Sequence, residues 1–504
     1  MPRRGILVKP YERISQEQVE QIHNASMQIL KDPGIICYNS EAAHIFHAHG
    51  AEVIPSGLDC WLLKIPEKVV LAAIEAAPKI IKLGARNEEN SLILDGHEPR
   101  LHFASGSEAN IWLDVDFSTY VNKNHPEIEV ELPTFHPRRG TVKDLCQAAD
   151  LCGQLNNLDA FIRPVNVQDE DITEENKDVN KFFASLNNTT KHVMSGLTDL
   201  GQLDSVIKMA EIVAGKRLEN NPIISFITCA IKSPLQLVDD TTQKLIEIAR
   251  RGIPLVMSSS PQGGSTAPIT EDGMVAQINA EILCGIALTQ LVRKGAPVLY
   301  GSVPTRARMD DLNESYGAPE FNQYNIDCVQ MARFYSLPCY STAGVADVKV
   351  PGIQASVEKL FSHILVSLSG PHYLHYAFGL LERTNTFCPL QAVLDDVHIG
   401  IVKSFLKEPR VSEKERSASL EQVKQVMNST HKLYVRYVRP KLHAGEITPP
   451  YPFESRDMSD EVLLKASQHM QELLSLPVEN LSKDITEKIY KEVPGLLPRL
   501  NIYE

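Results

Sequence analysis

The run "IPLVMSSS" (253–260) leads through "PQGGSTAPIT" into "EDGMVAQINAEILCGIALTQLVRKG" (271–295) and then "APVLYGS" (296–302). A short β-rich run ends in serines, a long helical stretch ends in glycine, and a second short run follows. Two strands joined through a helix of this length run parallel, because a hairpin cannot make that connection. The unit recurs. Comparable runs are "LHFASGS" (101–107), "AFIRPVNV" (160–167), "KHVMSGL" (191–197), "IISFITC" (223–229), "LPCYSTAG" (337–344) and "PHYLHYAFG" (371–379), with helical patterns between them. "TVKDLCQAADLCGQL" opens on a threonine suited to capping, and "LGQLDSVIKMAEIVAG" and "DDTTQKLIEIARRG" close on glycine, the common helix stop.

Eight runs alternating with helices across residues 101–406 predict an α/β fold of the (β/α)8 TIM-barrel type. A doubly wound sheet is the alternative, but it requires no particular count of eight. Residues 1–100 and 407–504 read as helical N- and C-terminal additions packed on the barrel, since no Gly/Ser-rich linker separates them. The 504-residue length suits a large barrel with such additions.

Composition narrows the function. Net charge is −13, pI is about 5.7, and no Lys/Arg run makes a basic face, which argues against nucleic acid and anionic membrane as partners. Nine dispersed cysteines without a CxxC pair exclude a zinc ribbon and point to a reducing, cytoplasmic setting. The start "MPRRGILVKPYERIS" lacks the apolar core of a signal peptide, and the most apolar window, 273–292, carries Gln277, Asn279 and Glu281, so it reads as an amphipathic helix rather than a span.

In such a barrel the active site lies at the carboxyl ends of the strands. Small residues dominate those ends, which predicts an axial cavity. After the sixth run, "PTRARMDDLNESYGAPE" supplies Arg306, Arg308, Tyr316 and Glu320. Paired arginines suit a carboxylate ligand, although Asp310 and Asp311 are equally available to them. Arg163 ends the second run. Tyr340, Tyr373, His375, Tyr376 and Phe378 lie on the last two runs, where they either fill the core or present aromatic faces to a cation. "HIFHAHG" places His44, His47 and His49 together, but their spacing does not share one helix face, and no metal site is expected.

Several segments carry a family resemblance: "NAEILCGIALTQLVRKGAPVLYGS", "YGAPE", "ARFYSLPCYSTAG", "DVKVPGIQASVEK" and "HYAFGLLE". Together they resemble the trimethylamine methyltransferase family over about residues 15–410. The family fold is a (β/α)8 barrel, in agreement with the eight runs. Its founding members carry pyrrolysine just before a short Asp–x–Lys segment. Asp347 and Lys349 match that segment, and the pyrrolysine position falls at about Val345, between Gly344 and Ala346. The chain therefore resembles the non-pyrrolysine branch, whose members demethylate quaternary amines such as glycine betaine and pass the methyl to Co(I) of a separate corrinoid protein. The resemblance implies no tightly bound cofactor, a corrinoid supplied by a partner, and assembly into homo-oligomers.

The chemistry bears on the residues. A quaternary nitrogen leaves as a neutral tertiary amine, so neither an adduct nor a proton transfer to nitrogen is required. Its charge vanishes in the transition state, so a carboxylate against it would stabilise the ground state more. Aromatic groups are expected at the ammonium, and Arg306 and Arg308, then Lys349 and Arg163, at the substrate carboxylate. Glu320 and Asp347 match family positions and are assigned to orienting loops or ordered water. Two alternatives are a lyase or decarboxylase acting on a small acid, with Glu320 or His375 as base, and a non-catalytic betaine-binding protein.

Overall fold

The computed structural model describes residues 2–106, 108–121, 129–409, 411–455 and 461–503; Ser107, the last residue of the first run, lies outside them. Each of the eight runs contains a strand: β1 (Arg100–Phe103), β2 (Ala160–Ile162), β3 (His192–Ser195), β4 (Ile224–Thr228), β5 (Leu255–Ser259), β6 (Val298–Ser302), β7 (Cys339–Thr342) and β8 (Tyr373–His375). The helices that follow them are α1 (Val142–Gln154), α2 (Lys177–Asn188), α3 (Leu203–Ala214), α4 (Asp239–Arg251), α5 (Glu271–Val292), α6 (Pro319–Phe334), α7 (Ile353–Leu368) and α8 (Pro389–Leu406). Thr141 caps α1 in a reciprocal box with Asp144, and Gly215 and Gly252 end α3 and α4 in the left-handed conformation.

β2 to β8 pair in parallel in chain order, and β8 pairs in parallel with β1. The result is a curled sheet of nine strands, the ninth being Ile6–Leu7, antiparallel to the start of β1. Where β1 ends, Ala104 forms a parallel bridge to Ala160 at the start of β2, and the Asp159 amide donates to the Phe103 carbonyl at 2.7 Å.

Three features differ from the expectations. Residues 1–100 are not mainly helical. Three helices, Gln16–Lys31, Ser40–Ala48 and Glu67–Ala76, share the segment with strands that include the hairpin Ile80–Leu83/Leu92–Asp95. Its Ile81, Leu83, Leu92 and Leu94 join one apolar cluster with Ile162, Met194, Val256 and Leu299 of the sheet. The second difference is a long antiparallel ribbon, Ile111–Val121 with Glu129–Arg139, between β1 and α1. Third, α5 is not amphipathic. Every residue from Met274 to Gln290 is buried, because the three N-terminal helices cover the face that was read as solvent-exposed. Its polar residues find partners instead of water. Asn279 donates to Ser26 and Tyr335 and accepts from Tyr300, while Glu281 accepts from Ser233 and the Leu235 amide. Among the described residues α5 is the one helix long and apolar enough to cross a bilayer, and 89% of its most apolar window is buried within the fold.

Candidate functional site

Three groups gather at the carboxyl ends of the strands. The first is aromatic. His375, at the end of β8, stacks on Tyr340 of β7 with ring centroids 3.8 Å apart and planes 20° apart, and meets Tyr376 at 3.7 Å. Tyr373 packs behind Tyr340 at 5.9 Å. These contacts follow from register, since β7 and β8 pair Tyr340 with Tyr373 and Thr342 with His375. Burial lowers the His375 pKa to about 3, opposed by its hydrogen bond to the Ser341 carbonyl. The ring is therefore neutral. Nδ1 lies 3.0 Å from Ser341 O and takes the proton, which leaves Nε2, without a partner among the described residues, as a bare acceptor. Tyr340, Tyr373 and His375 are fully buried, whereas Tyr376 is half-buried and holds a positive φ of 65°. Tyr376 is thus the outer wall of the cluster.

The second group is charged. Arg163, just past β2, is 1% exposed and ion-pairs with the exposed Glu108 that follows β1. Its Nε donates to Ser195 of β3 at 3.0 Å, and its Nη1 has no partner among the described residues. Beneath it, Lys181 and Asp178 of α2 form a buried pair. Asp178 accepts from the Thr198 and Asp199 amides at 2.9 and 2.8 Å, tying α2 to the loop after β3. Burial brings Arg163 down to about 9, against the pull of Asp178. Burial and the nearby Arg163 bring Lys181 down to about 7.

The third group is a set of loops over the strand ends. The segments Gln262–Gly263, Thr305–Ala307 and Glu314–Ser315 form a small sheet that links the loops after β5 and β6. Asp347, in the loop after β7, clasps that sheet: it accepts from Ser315 Oγ and the Tyr316 amide, both at 2.8 Å, and from the Gly317 amide at 3.3 Å. Arg306 lies on the middle segment with Nη1 3.5 Å from Glu320 Oε1, in the first turn of α6. Arg306 Nε and Glu320 Oε2 are buried without partners among the described residues.

The remaining candidates are placed elsewhere. Arg308 faces solvent and pairs with Asp310 and Asp311. Lys349 is 77% exposed at its side chain and pairs with Glu382 at 2.9 Å. Val345 and Phe378 are fully buried in the main apolar core. Gly344 does not open a space towards α7, since a Cβ there would lie 2.2 Å from His363 Nε2. The Gly344 amide donates to Ser362 of α7 at 2.9 Å, and α7 packs directly on that backbone. Sequence reasoning misses Glu108, Asp178 and Lys181. Asp178 and Lys181 stand at i and i+3 of a helix, and only the fold shows that this helix face is buried. Glu108, directly after the first run, was visible by position alone.

A parallel α/β sheet whose buried charge, aromatic rings and tied loops converge at the carboxyl edge has the layout of an enzyme for a small molecule. The chain belongs to the trimethylamine methyltransferase family: the family model described as Trimethylamine methyltransferase (MTTB) matches residues 3–436. It is 33% identical over 391 residues to a trimethylamine methyltransferase MttB of Desulfitobacterium hafniense (77% of this chain, 74% of the relative). It is 31% identical over 405 residues to a protein of the same name from Methanosarcina barkeri (79% and 76%). It is 25% identical over 405 residues to a glycine betaine methyltransferase of Desulfitobacterium hafniense (80% and 79%). The chain is a methyltransferase of this family.

Proposed function

We propose that this methyltransferase takes a methyl group from a quaternary amine that bears a carboxylate, glycine betaine or a related betaine, and delivers it to a corrinoid carried by a separate protein. The observation that carries the reading is the stack of Tyr340, His375 and Tyr376. Its histidine is neutral, so it does not repel an ammonium, and its rings offer cation–π attraction of about 0.5–2 kcal/mol each. No formal negative charge in the stack holds the ground state back. Val345 is an ordinary side chain at the position the resemblance assigns to pyrrolysine, in keeping with a donor that is already cationic. The curled sheet is taken as a closed (β/α)8 barrel, residues 101–406, with the Ala104–Ala160 bridge as its seam and residues 1–100 and 407–504 as additions.

The partner's corrinoid supplies the nucleophile, cobalt(I). This chain binds the donor, aims one methyl outward and excludes water. Arg306, with an unpartnered buried Nε, is the first choice to hold the donor carboxylate, and Arg163 is the second. Asp347 and Glu320 hold the loops that carry Arg306. The test is demethylation of a panel of betaines and of trimethylamine with a reduced corrinoid protein, followed by loss of Co(I) absorbance. Arg306→Ala should raise KM about 10-fold or more for a betaine, the worth of one charge-assisted hydrogen bond, while Arg308→Ala stays within about twofold of the parent, since an exposed ion pair is worth ~0–1 kcal/mol. Turnover of trimethylamine alone would overturn the substrate class, and equal effects of the two variants would overturn the clamp.

A further inference from the structure

Cys229 stands directly after β4. It is the one exposed cysteine among the described residues, although its neighbours Thr228 and Ala230 are buried. Strand alternation says which way it faces. Phe226 meets Phe182 of α2 at 5.5 Å, and Thr228 Oγ1 donates to the Thr241 carbonyl of α4 at 3.2 Å, so both point outward to the helices. Ile227 packs instead against the inner cluster that holds Met194, Val256 and Tyr340. Cys229 continues that inner series. An exposed side chain on the concave face of a curled sheet lines a cavity, not the outer surface.

The thiol has small flanks. On one side is Gly196, just past β3, where an added Cβ would meet nothing closer than 3.4 Å; on the other is Ser258 of β5. β4 and β8 lie four places apart in the sheet, so the thiol looks across at the aromatic stack. Its nearness is felt there: burial first, then Tyr376 and Cys229, raise the Tyr340 pKa. A second observation marks the intervening space as a ligand's. His375 is fully buried, and its Nδ1 is held by the Ser341 carbonyl of the neighbouring strand. Its Nε2 is thereby turned away from that strand and has no partner among the described residues. A buried acceptor left bare is costly, and the polarised C–H groups of a ligand relieve that cost.

We propose that Cys229 faces the ammonium head of the methyl donor, its sulfur packed against the N-methyl groups while Tyr340, His375 and Tyr376 hold the other side. The inference rests on the onium donor proposed above and adds the residue that closes the far side of its site. The chemistry suits the place. Methyl groups on a cationic nitrogen carry partial positive charge on their hydrogens, and a thiol sulfur is a polarisable acceptor without formal charge. Desolvation inside the curl raises the thiol pKa, with Ser258 pulling the other way, so the group is protonated at neutral pH. A thiolate there would attack the donor methyl, forming an S–C bond as the C–N bond breaks, and end as a dead thioether. A neutral thiol does not compete with cobalt(I) in this way.

The test treats the full chain with two thiol reagents, cationic 2-(trimethylammonium)ethyl methanethiosulfonate and neutral methyl methanethiosulfonate, and reads each cysteine by peptide mass. With either reagent a disulfide forms, the reagent's S–SO2 bond breaks and methanesulfinate leaves. Cys60, half-buried on a strand of a separate sheet, is the internal reference. Relative to Cys60, the cationic reagent should modify Cys229 about 10-fold faster than the neutral one does, the attraction of one or two aromatic faces. Millimolar glycine betaine should remove that advantage and leave Cys60 unaffected. Cys229→Trp, which fills the space of the head, should raise KM for a betaine with unchanged far-ultraviolet circular dichroism. Equal relative rates for the two reagents overturn the inference. So does labelling of Cys229 that betaine leaves unchanged while the parent demethylates betaine, a result that leaves the donor reading standing. Demethylation of trimethylamine alone overturns the donor reading and this inference with it.

Discussion

Gly344 decides what can stand behind the aromatic stack. It has φ of 90°, and a Cβ there would lie 2.2 Å from His363 Nε2 and 2.9 Å from the Ala377 Cα. His363 has little room to move, as its Nε2 is 3.0 Å from the Ala377 carbonyl. Gly344→Ala therefore combines left-handed strain with overpacking, about 2–4 kcal/mol together. Tm should fall by roughly 2–4 °C or more. Gly153→Ala in α1 serves as control, because its added Cβ meets Thr189 Oγ1, the Asn188 carbonyl oxygen and Thr189 Cβ at ordinary distances of 3.5, 3.7 and 3.9 Å; it should leave Tm unchanged or slightly raised. Equal behaviour of the two variants would mean that α7 can yield. At this scale the sequence was legible in kind more than in place. Asp347 is expected at loops or ordered water, and its carboxylate accepts from three donors of the loop after β6. The run of small residues was visible too, but its meaning was not: side-chain size along one chain does not say whether a ligand or another helix fills the space beside it.

The elements were legible where local pattern and tertiary environment agree. Most of the eight strand-like runs end in small residues, all alternate with helical stretches, and each holds a strand of the curled sheet. Local pattern failed where one element covers another. α5 reads as half-solvated from Gln277, Asn279 and Glu281, yet all three lie inside. The ribbon Ile111–Val121/Glu129–Arg139 escaped although Leu113, Val115 and Phe117 alternate with Asp114, Asp116 and Ser118, because it interrupts the strand–helix alternation between β1 and α1, and its far half leaves Tyr120, Val121, Val130 and Leu132 exposed instead of joining a core. The junction of α7 and α8 shows how such buried polarity is made safe. Lys359 Nζ lies 3.0 Å from Asp395 Oδ2, with both side chains fully buried, and burial lowers the Lys359 pKa against the pull of that carboxylate. Lys359 also donates to the Leu380 carbonyl at 3.1 Å, and Asp395 accepts from the Gly379 amide at 2.7 Å and Gln391 at 2.9 Å. The pair clasps the loops after β7 and β8. Lys359→Met strands a buried carboxylate and should cost about 3–5 kcal/mol. Lys359→Met/Asp395→Leu should cost less than that single change, because no lone charge remains. Denaturant melts of the parent, both singles and the double give the coupling directly. Additive losses would show that the two groups act separately.

At the scale of the whole molecule, the N-terminal hundred residues act in two ways: their three helices cover α5, while their hairpin lies in the sheet's interior. The hairpin Ile80–Leu83/Leu92–Asp95 shares a cluster with the inward side chains of β2, β3, β5 and β6. It is stitched to the amino ends of the strands. Gly84 N donates to Pro222 O at 2.9 Å, His192 Nδ1 lies 2.7 Å from Gly84 O, and His372 Nε2 lies 2.7 Å from Asp95 O. Ile6–Leu7 occupies the edge at the start of β1 that the Ala104–Ala160 bridge leaves open. Without these segments the sheet would expose Leu299, Val256 and Met194 at its floor and an unpaired strand edge at its side, a combination that favours aggregation. A chain starting at residue 97 should therefore lack a cooperative melt and bind a hydrophobic dye, despite retaining all eight strands and every candidate site residue. Restoring residues 2–96 in trans as a separate polypeptide should recover the melt, because the hairpin contributes through burial and hydrogen bonds rather than through chain continuity. A sharp transition in the truncated chain at the parent's Tm would show instead that the eight-strand unit folds alone and that the hairpin merely rests against it.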